Sequence, residues 1–179
     1  MALFDLLSRG YFPKELPRPY STLSFATLLT SGVALPGDFA KTAAKGNQLP
    51  VAKAGRYSHA RSGLLRRQLS ICNPVHYFLL SKELIQNWAA LLPSISGTPL
   101  AATAPEFKIA GRAIDGKYSQ GDRPAVALDS RLGRRYVLQT DISRFYSSIY
   151  THSLPWAVHT KAVAKANHKL TLLGNRLDY

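Results

Sequence analysis

Arg135-Tyr136-Val137-Leu138-Gln139-Thr140-Asp141-Ile142-Ser143-Arg144-Phe145-Tyr146-Ser147-Ser148-Ile149-Tyr150 is the most structured run in the chain. Through residue 142 it alternates: Tyr136, Leu138 and Thr140 on one side, Val137, Gln139 and Asp141 on the other. That is the period of a strand. Read this way, the strand delivers a carboxylate at its end. A compact turn follows, and then a helix is expected from Ser153 or Leu154 through Lys169, with Pro155 tolerated in its first turn. An Asp in that place is, taken alone, more often a turn or cap residue than a catalyst.

Upstream, the alternation of Leu69 and Ile71 after Arg66-Arg67 predicts another strand, closed by Asn73-Pro74. From Val75 to Leu92 the apolar residues Leu80, Leu84, Ile85, Trp88, Leu91 and Leu92 recur at spacings of three and four, which is helical, and Pro93 is expected to end the helix. Residues 2–9 form a short amphipathic helix stopped at Gly10, expected to dock on the core. Gly, Pro, Ser, Thr and Lys dominate 30–63, which predicts a mobile basic loop. Between 94 and 134, Gly and Pro recur at short intervals, with extended pieces expected around Phe107–Ile109 and Ala125–Leu128.

The 179 residues suit one globular unit able to bury roughly 70% of its unfolded surface. Cys72, the single cysteine, excludes an internal disulfide and reads as a small core residue. Residues 1–9 lack a basic start and a long apolar stretch, so no signal peptide is expected. No apolar run approaches the roughly 20 residues of a membrane span, and the setting expected is soluble, reducing and cytoplasmic. His76, His152, His159 and His168 have no Cys or Glu at ligand spacing, which argues against zinc. Phosphate-loop, dinucleotide and nucleophile-elbow motifs do not occur.

Charge is the strongest compositional signal. Lys and Arg number 23 against 10 Asp and Glu, a formal net charge of +13. Between Glu15 and Glu83 the only acidic residue is Asp38, and after Asp141 none occurs before Asp178. With Tyr57, His59, Tyr77 and Phe78 interleaved, the pattern suits a polyanion: cations for phosphates, rings for bases. The plain alternative is a solvated basic surface.

The run Leu138 to Tyr150 resembles motif A of reverse transcriptases: an apolar strand, a metal-binding Asp, an apolar residue, two variable positions, two aromatics and a small-small-Ile tail. It is most similar to the bacterial retron, abortive-infection and defence-associated enzymes, which suggests phage defence. Arg66 to Pro74 resembles the fingers strand of the same enzymes, and Phe107 to Ala113 is similar, more weakly, to a further fingers segment. The resemblance implies an α+β fold, with a fingers subdomain and an incomplete palm of a right-hand polymerase. Residues 1–134 would be the N-terminal and fingers region, and 135–179 the start of the palm.

Its implied roles are Asp141 as ligand of the catalytic Mg2+ ions, Ile142 as a ligand through its backbone carbonyl, and Tyr146 as the steric gate beneath the sugar. Arg67 would hold the incoming triphosphate, with Arg66 as its substitute. The implied partners are an RNA template, a DNA primer or product and dNTP, with no membrane. The family's Tyr-x-Asp-Asp is missing, and no two acidic residues are adjacent anywhere in the chain. The chain is therefore expected to be a truncated or split enzyme, missing a C-terminal palm and thumb portion and inactive alone. A basic RNA- or DNA-binding protein without chemistry is the alternative.

Overall fold

A computed structural model describes residues 2–17, 19–33, 53–96, 103–143 and 145–178; the side chains of Ser96, Tyr146 and Ser147 lie outside that description. The fold is mixed α+β, with helices and two small antiparallel sheets. The chain divides into two compact units: residues 1–88 with 108–114 and 179, and residues 89–107 with 115–178. The boundary expected at 134/135 falls inside the second.

The first unit is built on α1 (Leu3–Arg9), α2 (Leu23–Thr30) and the start of α3 (Pro74–Ser96). Helix α1 forms where the amphipathic stretch predicts it. Asp5 accepts from the Ala2 N–H (3.1 Å) and pairs with Arg9 one turn on (2.9 Å), so the charges complement both ends of the helix dipole. The Arg9 guanidinium, and then the Ala2 amide, hold the Asp5 carboxyl below its usual range. Leu7, Ala26 and Phe78 form the core, flanked by Leu3, Phe4, Phe25, Leu29, Tyr77 and Leu79. Helix α2 was not anticipated. Its contribution is one buried small face at Ala26, and the Thr22 hydroxyl that donates to the Ser8 carbonyl (2.9 Å).

Helix α3 starts at Pro74, one residue before the expected Val75. The Asn73 carboxamide oxygen accepts from the Val75 N–H (2.9 Å), and Pro74 fills the first position, where no donor is needed. It does not stop at Pro93: the helix continues to Ser96 with the proline inside it. Pro93 removes one donor, yet its φ is already helical, so a few further residues can continue the turn.

Strands β1 (Gly55–Ala60) and β2 (Arg66–Ile71) pair antiparallel, with Tyr57 opposite Leu69 and Ala60 opposite Arg66. Strand β2 was expected; β1 falls in the stretch expected to be loop, because its alternation is carried by Arg, Ser and His rather than by apolar residues. Residues 34–52 of that stretch lie outside the described residues. Strands β3 (Pro105–Phe107) and β4 (Ile114–Gly116) form a second short hairpin. Its 108–114 loop is tied down by Arg9, which donates to the carbonyls of Lys108 and Gly111 (3.2 Å each), and by Arg112, which donates to the Gly10 carbonyl (3.2 Å).

In the second unit, α4 (Arg123–Arg131) replaces the extended piece expected at Ala125–Leu128. Pro124 sits in its first turn, and Asp122 just before it accepts from the Ser119 hydroxyl (2.7 Å) and amide (2.8 Å), bonds that lower its carboxyl pKa in that order. Helix α5 is the single turn Phe145–Ser148; α6 (Ser153–His159), α7 (Lys161–Ala166) and α8 (Leu173–Asp178) follow. The helix expected to run to Lys169 is broken at Thr160, which has a φ of 76°. A β-branched residue there cannot continue a right-handed helix. Pro155, Ala164 and Leu173 are buried, and Asn175 ties α8 to the preceding loop by donating to the carbonyls of Asn167 (2.9 Å) and Lys169 (2.8 Å).

The strand expected over 135–142 is not formed. These residues are irregular and exposed, with Tyr136 80% and Leu138 89% accessible. Among the described residues no hydrogen bond from backbone to backbone engages 135–142. Alternation makes a strand competent to pair; a ladder partner makes it a strand.

Candidate functional site

The expected site residues fall in both units. Arg66 and Arg67 lie on β2 in the first; Asp141, Ile142 and Tyr146 lie in the second.

The β1–β2 ribbon rises from the first unit's aromatic cluster. Tyr11 stacks between Phe12 and Phe25 (centroids 5.2 and 5.3 Å), meets Tyr77 at 4.8 Å, and donates its hydroxyl to the Cys72 carbonyl (2.7 Å) at the foot of β2. Burial raises the Tyr11 phenol, and raises the Cys72 thiol as well. Cys72 is exposed, not a core residue as expected: continuing the alternation of β2 sets it on the outer side with Gln68 and Ser70, while Leu69 and Ile71 face inward. A raised thiol pKa leaves little thiolate at neutral pH.

Because side chains alternate across a strand, the register separates Arg66 from Arg67. Tyr57, His59, Arg67, Leu69 and Ile71 share one face; Arg56, Ser58, Arg66, Gln68 and Ser70 share the other. The first face is the inner one, with Tyr57, Leu69 and Ile71 half-buried. Arg67 points to that side and lies 3.9 Å from the Glu15 carboxylate. Both partners are solvated, so the pair contributes under about 1 kcal/mol, and a triphosphate could displace it. Arg66 instead donates to the Ser58 hydroxyl (2.8 Å) and carbonyl (3.2 Å). On opposite faces the two guanidinia do not serve one phosphate, so Arg67 and Arg66 are alternatives for the triphosphate contact and not a pair.

Asp141 is exposed, and its Oδ1 accepts from the Ile142 N–H (2.9 Å). Ile142 is 61% exposed. Two residues later the chain passes Arg144, outside the described residues, and enters α5, which places the Tyr146 backbone on a helical turn directly after the Asp141 segment. The gate role expected of Tyr146 rests on its side chain, which lies outside the described residues. Asp141 and the Ile142 carbonyl are hard oxygen donors of the kind Mg2+ takes, usually with substrate phosphates and water completing its shell. Among the described residues, no three His, Cys, Asp or Glu side chains gather into a metal-holding group.

Three of the histidines weighed as ligands have structural partners: the His76 ring lies 3.4 Å from the Asn73 carboxamide oxygen. His152 pairs with Asp178 (2.5 Å), and the His159 Nε2 accepts from the Gly174 N–H (2.9 Å). Tyr150 meets His152 and Trp156, and Lys161 sits 4.8 Å over the Trp156 ring.

Sequence reasoning missed Arg56 and Ser58 as companions of Arg66 on one face. The signal was present: two alternating runs flanking a short loop with Gly63, whose φ of 76° suits a tight turn. Among the described residues no helix is long and apolar enough to cross a membrane. Compared with known protein families, with curated proteins and with solved structures, the chain matches none.

Proposed function

We propose that these 179 residues form the fingers and the opening of the palm of an RNA-directed DNA polymerase, a reverse transcriptase of the bacterial defence-associated kind. It would act on an RNA template and a DNA primer, with dNTP and Mg2+. One observation carries the reading: an arginine pair on a strand, then Asp141-Ile142, then the aromatic pair Phe145-Tyr146 on the next helical turn. Bound Mg2+ would neutralise the triphosphate and activate the primer 3′-oxygen. Asp141 would hold it through a carboxylate oxygen, Ile142 through its carbonyl; Arg67 would steady the triphosphate and Tyr146 would exclude a 2′-hydroxyl.

A pair of metal ions at catalytic spacing needs more carboxylates than Asp141. The 179 residues by themselves are therefore expected not to extend a primer. Joined to a palm and thumb that carry Tyr-x-Asp-Asp, they should, and Asp141→Ala should abolish extension. Incorporation by the isolated chain, lost in Asp141→Ala, would overturn the carboxylate argument. A joined enzyme indifferent to Asp141→Ala would overturn the polymerase reading.

The second reading is a basic nucleic-acid-binding protein without chemistry. It is favoured by the exposure of the ribbon's arginines, which needs no metal and no Asp141.

A further inference from the structure

Residues 53–71 hold Lys53, Arg56, Arg61, Arg66 and Arg67, together with His59, and contain no Asp or Glu. The register sorts them. Arg67 and His59 belong to the inner face, and Glu15 approaches Arg67. Arg56 and Arg66 belong to the outer face, at its two ends, with Ser58, Gln68 and Ser70 beside them. Arg56 stands four residues from Ala60, the partner of Arg66, a separation of about 13 Å at the rise of a strand. Along one strand of a nucleic-acid duplex that length covers about four phosphates.

Arg61 stands in the turn just beyond β1, where its backbone N–H donates to the Leu65 carbonyl (3.0 Å) and closes the loop. Ser58 fixes the Arg66 guanidinium by two hydrogen bonds, so its remaining N–H groups are already oriented before a ligand arrives. At the tip, Leu64 and Leu65 are 102% and 70% exposed, apolar side chains that a folded surface would ordinarily cover.

We infer that the outer face of the β1–β2 ribbon is a phosphate-tracking surface for a nucleic-acid strand, with Arg56 and Arg66 as its spaced cations, Arg61 beyond Arg66 at the turn, and Ser58, Gln68 and Ser70 as neutral donors beside them. It is separate from the Arg67 face. It rests on the nucleic-acid part of the proposed function and not on polymerisation. Neutral donors beside fixed cations suit a polyanion of regular spacing better than a single anion, which one arginine and its neighbours would satisfy. The partner is therefore a nucleic-acid backbone rather than a free phosphate.

The test uses the whole 179-residue chain and an oligonucleotide of about 20 residues, single-stranded and duplex, titrated over a range of salt. The triple variant Arg56→Gln/Arg61→Gln/Arg66→Gln should flatten the slope of log K against log salt by about 2 on single strands and about 3 on duplex DNA, and weaken single-strand binding about 100-fold near 0.1 M salt. A matched triple, Lys161→Gln/Lys165→Gln/Lys169→Gln, removes the same charge from the second unit, and circular dichroism confirms that both triples fold. A loss confined to the ribbon triple supports the assignment; an equal loss in both means diffuse attraction by net charge and overturns it. Stronger binding of the parent chain to phosphatidylserine vesicles than to either oligonucleotide, lost in the ribbon triple, would overturn the choice of partner. If the joined polymerase still needs Asp141 while the ribbon triple binds as the parent does, this surface fails and the polymerase reading stands.

Discussion

Tyr77→Phe tests whether the aromatic platform beneath the ribbon is built as described. The Tyr77 hydroxyl donates to the Leu6 carbonyl (3.0 Å) on the far side of the core from its own helix. That carbonyl also accepts the Gly10 N–H (2.9 Å), so removing the hydroxyl leaves no orphaned acceptor. The ring, with its contact to Tyr11, stays. The cost at neutral pH should therefore fall in the lower part of the range for a hydrogen bond, about 0.5–1 kcal/mol. Burial pushes the Tyr77 phenol from 10.0 up to about 12. The unfolded chain then loses this proton first, and between those values the folded state binds more protons. Stability from the protonated phenol is complete below pH 10 and drains away as pH rises towards 12. Partial solvent access to the ring reduces the full two-unit effect to about 1–2 kcal/mol. The variant has nothing to titrate at this position, and the other tyrosines and the lysines titrate in both proteins and cancel in the difference. Urea unfolding followed by circular dichroism at about pH 8 and again at about pH 11.5 should show the parent ahead at the lower pH and the gap closed or reversed at the higher. A gap that does not change with pH would refute the buried environment assigned to Tyr77.

In the second unit, a Cβ on Gly174 would sit 2.6 Å from the Pro155 Cα and 3.0 Å from the His159 ring. Gly174→Ala should therefore cost about 1–3 kcal/mol through overpacking, read as a lower melting temperature; an unchanged melt would mean that α6 and α8 do not pack this closely. In the joined polymerase, Tyr146→Ala should raise kcat/KM for ribonucleotides relative to deoxynucleotides, because a steric wall discriminates without a hydrogen bond; an unchanged ratio would return Tyr146 to the status of a packing aromatic.

Where local chemistry closed on itself, the sequence was legible. Asn73-Pro74 specifies a helix start through one side-chain acceptor and one absent donor, and α3 begins there. Asp5 and Arg9 make α1 nearly self-sufficient. The misreadings share a different cause. Ala125–Leu128 holds residues acceptable to helix or strand, and the decision lay just upstream, at Asp122 with Pro124. Strand β1 shows hardly any apolar alternation, and exists because β2 supplies its hydrogen bonds. Residues 135–142 show the converse, a well-marked alternation with no ladder among the described residues. Strand character is shared between two segments, and a one-segment pattern reports only half of it. The candidate site was legible as a set of residue types, and less so as an arrangement.

Arg66 and Arg67 show how much that arrangement matters. Adjacent in sequence, with the same charge, they look interchangeable for holding a triphosphate. A strand makes neighbours in sequence opposites in space, so one phosphate does not meet both. Arg67 shares its face with half-buried Tyr57 and Leu69 and has Glu15 as a weak, displaceable partner. Arg66 is fastened to Ser58 on the outer face, in line with Arg56. A grip on one incoming nucleotide needs a cation that can exchange one anion for another, which is the condition of Arg67. A track for a strand needs cations held at fixed intervals, which is the condition of Arg66. On the proposed function, the single substitutions Arg67→Gln and Arg66→Gln would therefore address different ligands, and a polymerase built on this ribbon would use both faces at once.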